Sequence, residues 1–371
     1  MEPVTYAQAG VDVEAGDRAV ELMRAAVTRT HGPEVLGGLG GFAGLFDASA
    51  LTGFRRPLLA TSTDGVGTKV AVAQALDRHD TIGQDLVGMV VDDIVVCGAR
   101  PLFMTDYIAC GRVVPERIAA LVSGIARGCE LAGCALVGGE TAEHPGLLGE
   151  DEYDVAGAAV GVVEADDVLG PDRVRTGDVV VALASSGLHS NGYSLVRRVL
   201  QVAGWGLERH CDELGRTVGE ELLVPTRIYT PAILSLAESL GEELHAVSHV
   251  TGGGLAANLA RVLPPGTSAV LDRSTWRPAP VFELIEQLGK VPRDDLERTL
   301  NLGVGMVAVV GADAVDRAVS LVEKAGIRSW VLGRLGGPGD SWTGTGTDVP
   351  AVRGTKGVDG GSVHLRGEHP R

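Results

Sequence analysis

The sequence is poor in aromatic and basic residues. Aromatic residues make up 4% of the 371 residues, and 32 Lys and Arg stand against 48 Asp and Glu, a formal net charge of −16. A surface with this excess of negative charge repels nucleic-acid backbones and anionic membranes. We therefore expect neither a nucleic acid nor a membrane as a partner.

Cysteines and long apolar runs are also scarce. The five cysteines form an odd set with one C-x4-C pair, so neither a zinc site nor a disulfide framework is predicted. The longest uncharged stretch, 179–196, contains serines, a histidine and an asparagine and is not typical of a membrane span. No basic residue and no apolar run precedes Arg18, which argues against a secretion signal. A cytoplasmic location is expected.

Glycine is abundant: its 53 residues are about twice the usual share, which favours tight turns and phosphate-binding loops. The chain length suits two domains, which we place at residues 1–170 and 171–335. Residues 336–371 contain ten glycines and show no periodicity, so a disordered tail is predicted there.

Helical and extended segments alternate along both halves. In the first half, helices are predicted at 16–31, 66–76, 82–97 and 115–132, and strands at 58–63, 102–109, 134–137 and 153–163. In the second half, strands are predicted at 179–184, 304–310 and 329–335, and helices at 192–203, 229–240, 254–262, 280–288 and 313–325. This order predicts a mixed α/β fold.

Acidic residues concentrate in the first half, where the net charge is −14, against −2 for residues 171–371. The segment 64–69 (DGVGTK) places a carboxylate at a strand end, then two glycines and a lysine at a helix start, which suits Mg²⁺ and a polyphosphate. A plain strand–turn–helix is an equal alternative. Asp106, Glu140 and Glu143 add carboxylates at other strand ends, and solubility is the alternative explanation of the charge.

Two adjacent carboxylates, Asp92 and Asp93, lie near the end of helix 82–97. Asp93 follows Val90 by three residues, which predicts a place on the apolar stripe of the helix. A bound cation would relieve the repulsion between carboxylates there. The alternative is a helix rotated so that Asp92 and Asp85 face water.

Two polar, glycine-containing segments precede predicted helices in the second half, and the first of them follows the predicted strand 179–184. In the first, SGLHSNG, His189 is the one candidate for proton transfer, and a hydrogen-bonded structural histidine is the alternative. The second, HVTGGG, opens a helix whose free N–H groups suit a ribose 5-phosphate, and a hinge is the alternative. The candidate substrate contacts are His189, Ser190, Asn191, His249, Thr251, Gly252 and Gly253.

These segments belong to a longer set of motifs. In order, the chain contains GGLGGFAGLF, TDGVGTK, RHDTIGQDLVGMVVDDIVVCGARPLF, DYIACG, LVGGETAEHPG, SSGLHSNGYSLVR, PTRIY, HVTGGGLAANLARVLP and NLGVGM. In order and spacing the set resembles the aminoimidazole ribonucleotide synthetase family, also called phosphoribosylformylglycinamidine cyclo-ligase, from about Tyr6 to about Leu335. Asp92 departs from the family, which commonly has asparagine there, and this leaves the number of metal ions open.

The resemblance implies the two-domain α/β fold of that superfamily and a homodimer whose N-terminal strands join in a barrel between subunits. It also implies use of ATP and Mg²⁺ to close the imidazole ring of formylglycinamidine ribonucleotide, with release of ADP and phosphate. The implied metal ligands are Asp64 and Asp93, and catalytic roles are assigned to Lys69, His189 and Asp106. The expected ATP-binding residues are Gly37, Gly38, Gly40, Gly41, Asp64, Gly65, Gly67, Thr68, Lys69, Glu140 and Thr141.

Two other functions stay open: another Mg–ATP enzyme of the same superfamily, or a non-catalytic nucleotide-binding regulator. Selenophosphate synthetase typically needs an early cysteine or selenocysteine, whereas the first cysteine here is Cys97. A hydrogenase-maturation protein needs a C-terminal cysteine, whereas this sequence ends in Arg371. The joint presence of Asp64, Lys69, Asp93 and Glu140, the set that the resemblance implies for Mg²⁺–ATP, argues against a non-catalytic binder.

Overall fold

The computed structural model describes most of the chain. Helices and strands alternate throughout the described residues, 10–336, 351–354 and 359–370, so the predicted mixed α/β class is confirmed. The parts of the first domain and of the tail that were predicted for residues 1–9, 337–350, 355–358 and 371 lie outside the described residues.

Contacts divide the chain into two compact units, Met1–Ile94 with Ala99–Ala165 and Val95–Gly98 with Asp166–Arg371. The division lies just before the predicted junction because Gly170 already belongs to the second unit, where its N–H donates to His245 O at 3.0 Å. Within the described residues, no helix combines the length and the apolar character needed to cross a membrane.

The first unit is built around a mixed four-stranded sheet. Its helices are α1 (Val13–Arg29), α2 (Val70–Leu76), α3 (Ile82–Val95) and α4 (Pro115–Ala132), and its strands are β1 (Val35–Leu36), β2 (Leu45–Phe46), β3 (Pro57–Gly65), β4 (Arg100–Cys110), β5 (Ala135–Glu143) and β6 (Tyr153–Glu164). The sheet order is β3-β6-β4-β5, and the pairs are antiparallel except for β4 with β5.

Local sequence explains the ends and the packing of these helices. Proline in the first turn of α4 and the left-handed Gly133 after its last turn mark its two ends. Leu86 of α3 approaches Gly157 of β6, so this helix packs directly on the sheet. Gly83 allows α3 and α4 to approach so closely that a Cβ there would overlap the backbone of α4.

The second unit contains a longer sheet. Its strands are β7 (Val179–Ala184), β8 (His210–Cys211), β9 (Arg216–Thr217), β10 (Leu244–His249), β11 (Ser268–Asp272), β12 (Val304–Val310), β13 (Ser329–Gly336), β14 (Val352–Arg353) and β15 (Ser362–Arg366). Its helices are α5 (Tyr193–Ala203), α6 (Val218–Leu222), α7 (Thr230–Leu240), α8 (Gly254–Arg261), α9 (Pro280–Gly289), α10 (Arg293–Thr299) and α11 (Val315–Lys324). Seven strands form one sheet in the order β10-β12-β7-β13-β11-β15-β14.

Apolar cores cover both faces of this sheet. Alternate residues of β7 enter different cores, Val181 one and Val180 the other. Helices α7 and α11 contribute to the first core and α8 to the second. Strands β10 and β11 were not predicted, because short segments buried on both faces lack the alternation that identifies a strand.

The prediction of disorder for residues 336–371 is wrong for the described part of that segment. Strand β15 pairs in parallel with β11, and β14 pairs with β15. Val363 is fully buried and Leu365 nearly so, both in the core that contains α8. The alternating sequence SVHLR supplies this apolar face within a segment whose composition is otherwise typical of disorder.

Side chains of the second unit also anchor the end of the chain. Arg273 Nη1 donates to Leu365 O at 2.7 Å, and its guanidinium pairs with Glu297 at 2.7 and 2.9 Å. The ring of His369 packs edge-on against Trp276, with the ring centres 4.3 Å apart. The end of the chain is therefore an integral part of the second unit.

Candidate active site

A cavity of about 600 Å³ lies in the first unit. It is lined by α1, by the glycine-rich loop between β1 and β2, and by β4 and β5. Gly40 adopts the left-handed φ of 101° that favours glycine, and Gly37, just outside the lining, has a φ of 85°. The structure places these predicted residues around the cavity: Gly38, Gly40, Gly41, Asp106, Glu140 and Thr141.

Asp106 is a buried carboxyl group of this lining. It retains 8% of its accessible surface, and burial raises its pKa to about 7, although a hydrogen bond from its own backbone acts in the other direction. In the register between β4 and β5 it lies opposite Gly139, where a Cβ would overlap Asp106 Oδ1. Glycine at position 139 is therefore needed to leave room for the carboxyl group.

Asp64 lies at the end of β3, just before the turn that leads to α2. Asp64 is half-buried, and its Oδ1 accepts the Gly65 N–H at 2.7 Å. Gly67 has a left-handed φ of 73°, and both Gly67 and Thr68 are exposed. The turn therefore leaves backbone groups accessible to a ligand, as an anion-binding loop requires.

Lys69, at the end of the same turn, lies in the interior. Its Nζ is 2.8 Å from Asp85 Oδ1, and neither side chain has exposed surface. Burial lowers the pKa of Lys69, while the charge and hydrogen bond of Asp85 oppose that change. The predicted contact of Lys69 with a triphosphate is wrong for this arrangement, because a buried ammonium group cannot reach a ligand without leaving its partner.

The burial of the carboxylates of α3 differs from the prediction, which placed Asp93 on the apolar stripe of the helix. Asp85 and Asp92, seven residues apart on one helix face, are both fully buried, whereas Asp93 is exposed. The apolar stripe therefore carries Asp92 rather than Asp93, and the rotated alternative is wrong as well. The ion pair with Lys69 explains how Asp85 is stabilised in the interior.

The described residues contain no group of three or more His, Cys, Asp or Glu side chains that could hold a metal ion. Asp64 and Asp93 nevertheless carry the oxygen donors that Mg²⁺ prefers, and neither is fully buried. Mg²⁺ is commonly held by one or two protein carboxylates together with substrate phosphates and water. Each of the two carboxylates therefore suits an ion that arrives with a nucleotide.

His189 is a structural residue of the second unit. It is 1% exposed and has a left-handed φ of 61°. Its Nε2 accepts the Ser186 N–H at 3.1 Å, and its ring lies 6.0 Å from that of Tyr229. The predicted proton transfer and substrate contact by His189 are contradicted, because the ring has almost no accessible surface.

Of the other predicted substrate contacts, Asn191 and Gly252 lie next to each other, whereas Ser190 lies in the interior. Ser190 is nearly buried, with Oγ 3.0 Å from Thr226 Oγ1. Asn191 is half-buried and lies beside Gly252, where a Cβ would stand 3.4 Å from Asn191 Oδ1. Asn191 therefore shares one surface with the predicted phosphate loop.

The loop before α8 is held by a residue that the sequence analysis missed. Asn258 Nδ2 donates to Thr251 O at 3.2 Å and to Gly254 O at 2.8 Å. Gly252 is exposed and Thr251 half-buried, whereas His249 is almost fully buried, and its substrate contact stays a prediction. A polar amide in the otherwise apolar stretch GLAANLA was the available signal for Asn258.

Both units match models of one protein family. The N-terminal domain of AIR synthase related protein matches residues 47–163, and the C-terminal domain matches residues 175–341. The phosphoribosylformylglycinamidine cyclo-ligase of Desulfitobacterium hafniense (strain DSM 10664 / DCB-2) is 51% identical over 333 residues, which are 90% of this chain and 97% of that protein. The chain belongs to this cyclo-ligase family. The protein of the same name from Thermosynechococcus vestitus is 53% identical over 89% of this chain and 96% of its own length.

Solved structures with low sequence identity share the fold. Thiamine-monophosphate kinase from Stenotrophomonas maltophilia K279a is 20% identical, with a TM-score of 0.63 over 95% of this chain and 97% of that chain. The hydrogenase maturation protein HypE in complex with ATP is 17% identical, with a TM-score of 0.61 over 89% of each chain. The predicted superfamily fold is therefore confirmed, and β14 and β15 lie beyond the residues that the family models match.

Proposed function

We propose that this protein closes the imidazole ring of formylglycinamidine ribonucleotide, with ATP as the phosphoryl donor, to form aminoimidazole ribonucleotide, ADP and phosphate. The observation that carries this proposal is the 51% identity to a phosphoribosylformylglycinamidine cyclo-ligase across 97% of its length. The protein is thus a C–N bond-forming ligase of purine biosynthesis.

The chemistry explains the need for ATP. An amide oxygen is a poor leaving group, so the γ-phosphoryl group is first transferred to it and forms an iminophosphate. A neighbouring nitrogen then attacks the activated carbon: the C–N bond forms, the C–O bond breaks and phosphate leaves with the former amide oxygen. The protein contributes mainly by positioning the reactants and stabilising charge.

We assign ATP to the first unit. The cavity beside the glycine-rich loop supports this assignment, since Gly38, Gly40 and Gly41 present a side-chain-free surface next to Glu140 and Thr141. The exposed turn of Gly67 and Thr68 is assigned to the phosphates. Lys69 acts from the interior and holds this turn to α3 through Asp85.

Mg²⁺ is assigned to Asp64 and Asp93, and it would neutralise charge on the transferred phosphoryl group. The formylglycinamidine ribonucleotide is assigned to the second unit, where Asn191 and the loop 251–253 share a surface. The exposed Gly252 and the partly exposed Gly253, just before α8, are assigned to its 5-phosphate. His189 and His249 support this surface from the interior.

We also propose a homodimer. The sheet of the first unit carries exposed apolar groups on its edge strand β3, among them Leu58 and Leu59, and Tyr107 of β4 is 42% exposed. Exposed apolar groups on a sheet edge and face are typical of a surface that pairs with another chain. A barrel between two subunits would cover them, and a cytoplasmic location remains a prediction.

Replacing either proposed Mg²⁺ ligand is expected to reduce turnover strongly. Asp64→Asn and Asp93→Asn keep side-chain volume but remove one anionic oxygen donor. The loss should be about a hundredfold in rate, or about 3 kcal/mol of transition-state stabilisation. Both variants should also show a smaller rise of melting temperature on addition of Mg²⁺–ATP. Steady-state ADP release and melting curves with and without Mg²⁺–ATP measure the two effects.

Glu21→Gln is the matched control, because Glu21 is an exposed carboxylate of α1 in the same unit. It should leave turnover and the ligand-dependent melting shift unchanged. Wild-type turnover and a wild-type melting shift in both aspartate variants would instead identify Asp64 and Asp93 as ordinary solvated carboxylates.

A further inference from the structure

The walls of the cavity in the first unit are largely apolar. Its apolar side chains include Val20, Met23 and Val27 of α1, together with Val122, Leu136 and Val137. Four of the lining residues have polar side chains: Thr105, Asp106, Glu140 and Thr141. An apolar pocket with a few polar groups is typical of a site that encloses a flat heteroaromatic ring and orients it by hydrogen bonds.

We propose that the Asp106 carboxyl group recognises the Watson–Crick edge of adenine and thereby selects ATP over GTP. This inference rests on the proposed use of ATP and adds the residue that reads the base. Asp106 is 8% exposed, lines the cavity and accepts a hydrogen bond from its own backbone N–H. A buried carboxyl group in a cavity wall is costly unless a ligand or a proton satisfies it.

The two purine bases require opposite forms of this group. A neutral carboxylic acid offers one donor and one acceptor, whereas a carboxylate offers acceptors alone. The edge of adenine presents an acceptor at N1 and a donor at its 6-amino group, which the neutral acid complements. The edge of guanine presents donors at N1–H and its 2-amino group, which the carboxylate complements.

The surroundings of Asp106 favour the neutral form. The lining contributed by α1 and by the glycine-rich loop contains no charged side chain. Glu140 of β5 is the other ionisable residue of the lining, and Cys129 of α4 lies nearby as a neutral thiol, because its hydrogen bond with Cys134 and its burial raise its pKa. Among the described residues, the lining contains no Lys, Arg or His side chain that would stabilise the carboxylate, so burial of Asp106 favours its neutral form.

Nucleotide binding at two pH values tests the proposal directly. Isothermal titration calorimetry measures the Kd of the full-length protein for Mg²⁺–ATP and Mg²⁺–GTP at pH 6 and pH 8. Wild-type affinity for ATP should fall by about tenfold between these values, in proportion to the neutral fraction of Asp106, and the preference over GTP should shrink with it. Asp106→Asn keeps one donor and one acceptor at every pH, so it should retain ATP preference and lose this pH dependence.

Two further variants complete the design. Asp106→Leu keeps the branched shape of the side chain but removes both polar atoms, so it should bind ATP and GTP with similar affinity. Glu140→Gln removes a charge from the same cavity. Its ATP affinity should still fall between pH 6 and pH 8 as it does in wild type. Protonation of the nucleotide phosphates changes the affinity of every variant by the same factor. This effect therefore cancels in the ratio of wild-type to variant affinity at each pH.

Melting curves without nucleotide provide a second readout. Ionisation of buried Asp106 destabilises the folded state, so stability is retained below the unfolded pKa and lost as pH rises through the folded value of about 7. Asp106→Asn should therefore melt above wild type at pH 8 and close to it at pH 4. The inference would be overturned if ATP affinity changed with pH to the same extent in wild type and Asp106→Asn. Full preference for ATP over GTP in Asp106→Leu would also overturn it. Absence of any ATP binding by wild type would instead overturn the proposed function.

Discussion

Replacing Lys69 with methionine is expected to lower the free energy of unfolding by about 3–5 kcal/mol, measured by urea denaturation. The Lys69 ammonium and the Asp85 carboxylate form a fully buried ion pair at 2.8 Å. Methionine has a similar length but no charge, so Asp85 would remain in the interior without its cation. Leaving one partner of a buried pair uncompensated is among the most destabilising single changes.

A surface pair provides the matched control. Arg29 and Glu130 are 2.9 Å apart, with the Arg29 side chain 60% exposed, so Arg29→Met should cost less than about 1 kcal/mol. The double variant Lys69→Met/Asp85→Leu should recover much of the stability, because it removes both charges. A Lys69→Met protein with wild-type stability and greatly weakened ATP binding would show that the lysine contacts phosphate after all.

Shortening the chain to end at Gly336 is expected to destabilise the second unit by about 4 kcal/mol, since Val363 and Leu365 each contribute about 1.5–3 kcal/mol of buried apolar side chain. The shortened protein would also lose the pairing of β15 with β11 and expose core residues beneath it. An unpaired, apolar edge at β11 favours aggregation as well. Urea denaturation and light scattering measure the two effects.

Point variants separate packing from chain length. In the full-length protein, Val363→Ala should lower stability, because Val363 has no exposed surface. His364→Ala, on the other face of the same strand and partly exposed, should be close to neutral. A shortened chain as stable as the full-length protein would mean that β14 and β15 contribute nothing to the second unit.

Elements with strong local signals were predictable. Helix α4 occupies the predicted residues, because a proline at its start and a glycine after its end mark both boundaries. The strand over residues 179–184 was equally clear as a short β-branched run. Strands β14 and β15 were missed because the five-residue pattern SVHLR is too short to outweigh the glycine content around it.

The sequence predicted which segments line the cavity, but it did not predict which of the candidate side chains are buried. The glycine-rich loop, Asp106 and Glu140 do surround one cavity. The burial of Lys69 could not be read from the sequence, because its partner Asp85 lies 16 residues away and the pair forms only in the fold. His189 illustrates the same limit, since a histidine that supports a loop and one that transfers a proton occur in similar polar segments.

Transfer of oxygen from substrate to phosphate tests the central claim most directly. Formylglycinamidine ribonucleotide labelled with ¹⁸O in its formyl amide group is converted with Mg²⁺–ATP, and the released phosphate is analysed by mass spectrometry. Because the proposed iminophosphate places the γ-phosphoryl group on that oxygen, each phosphate released should carry one ¹⁸O atom, in equal amount to the ring-closed product. Unlabelled phosphate, formed by attack of water on ATP, would contradict the account.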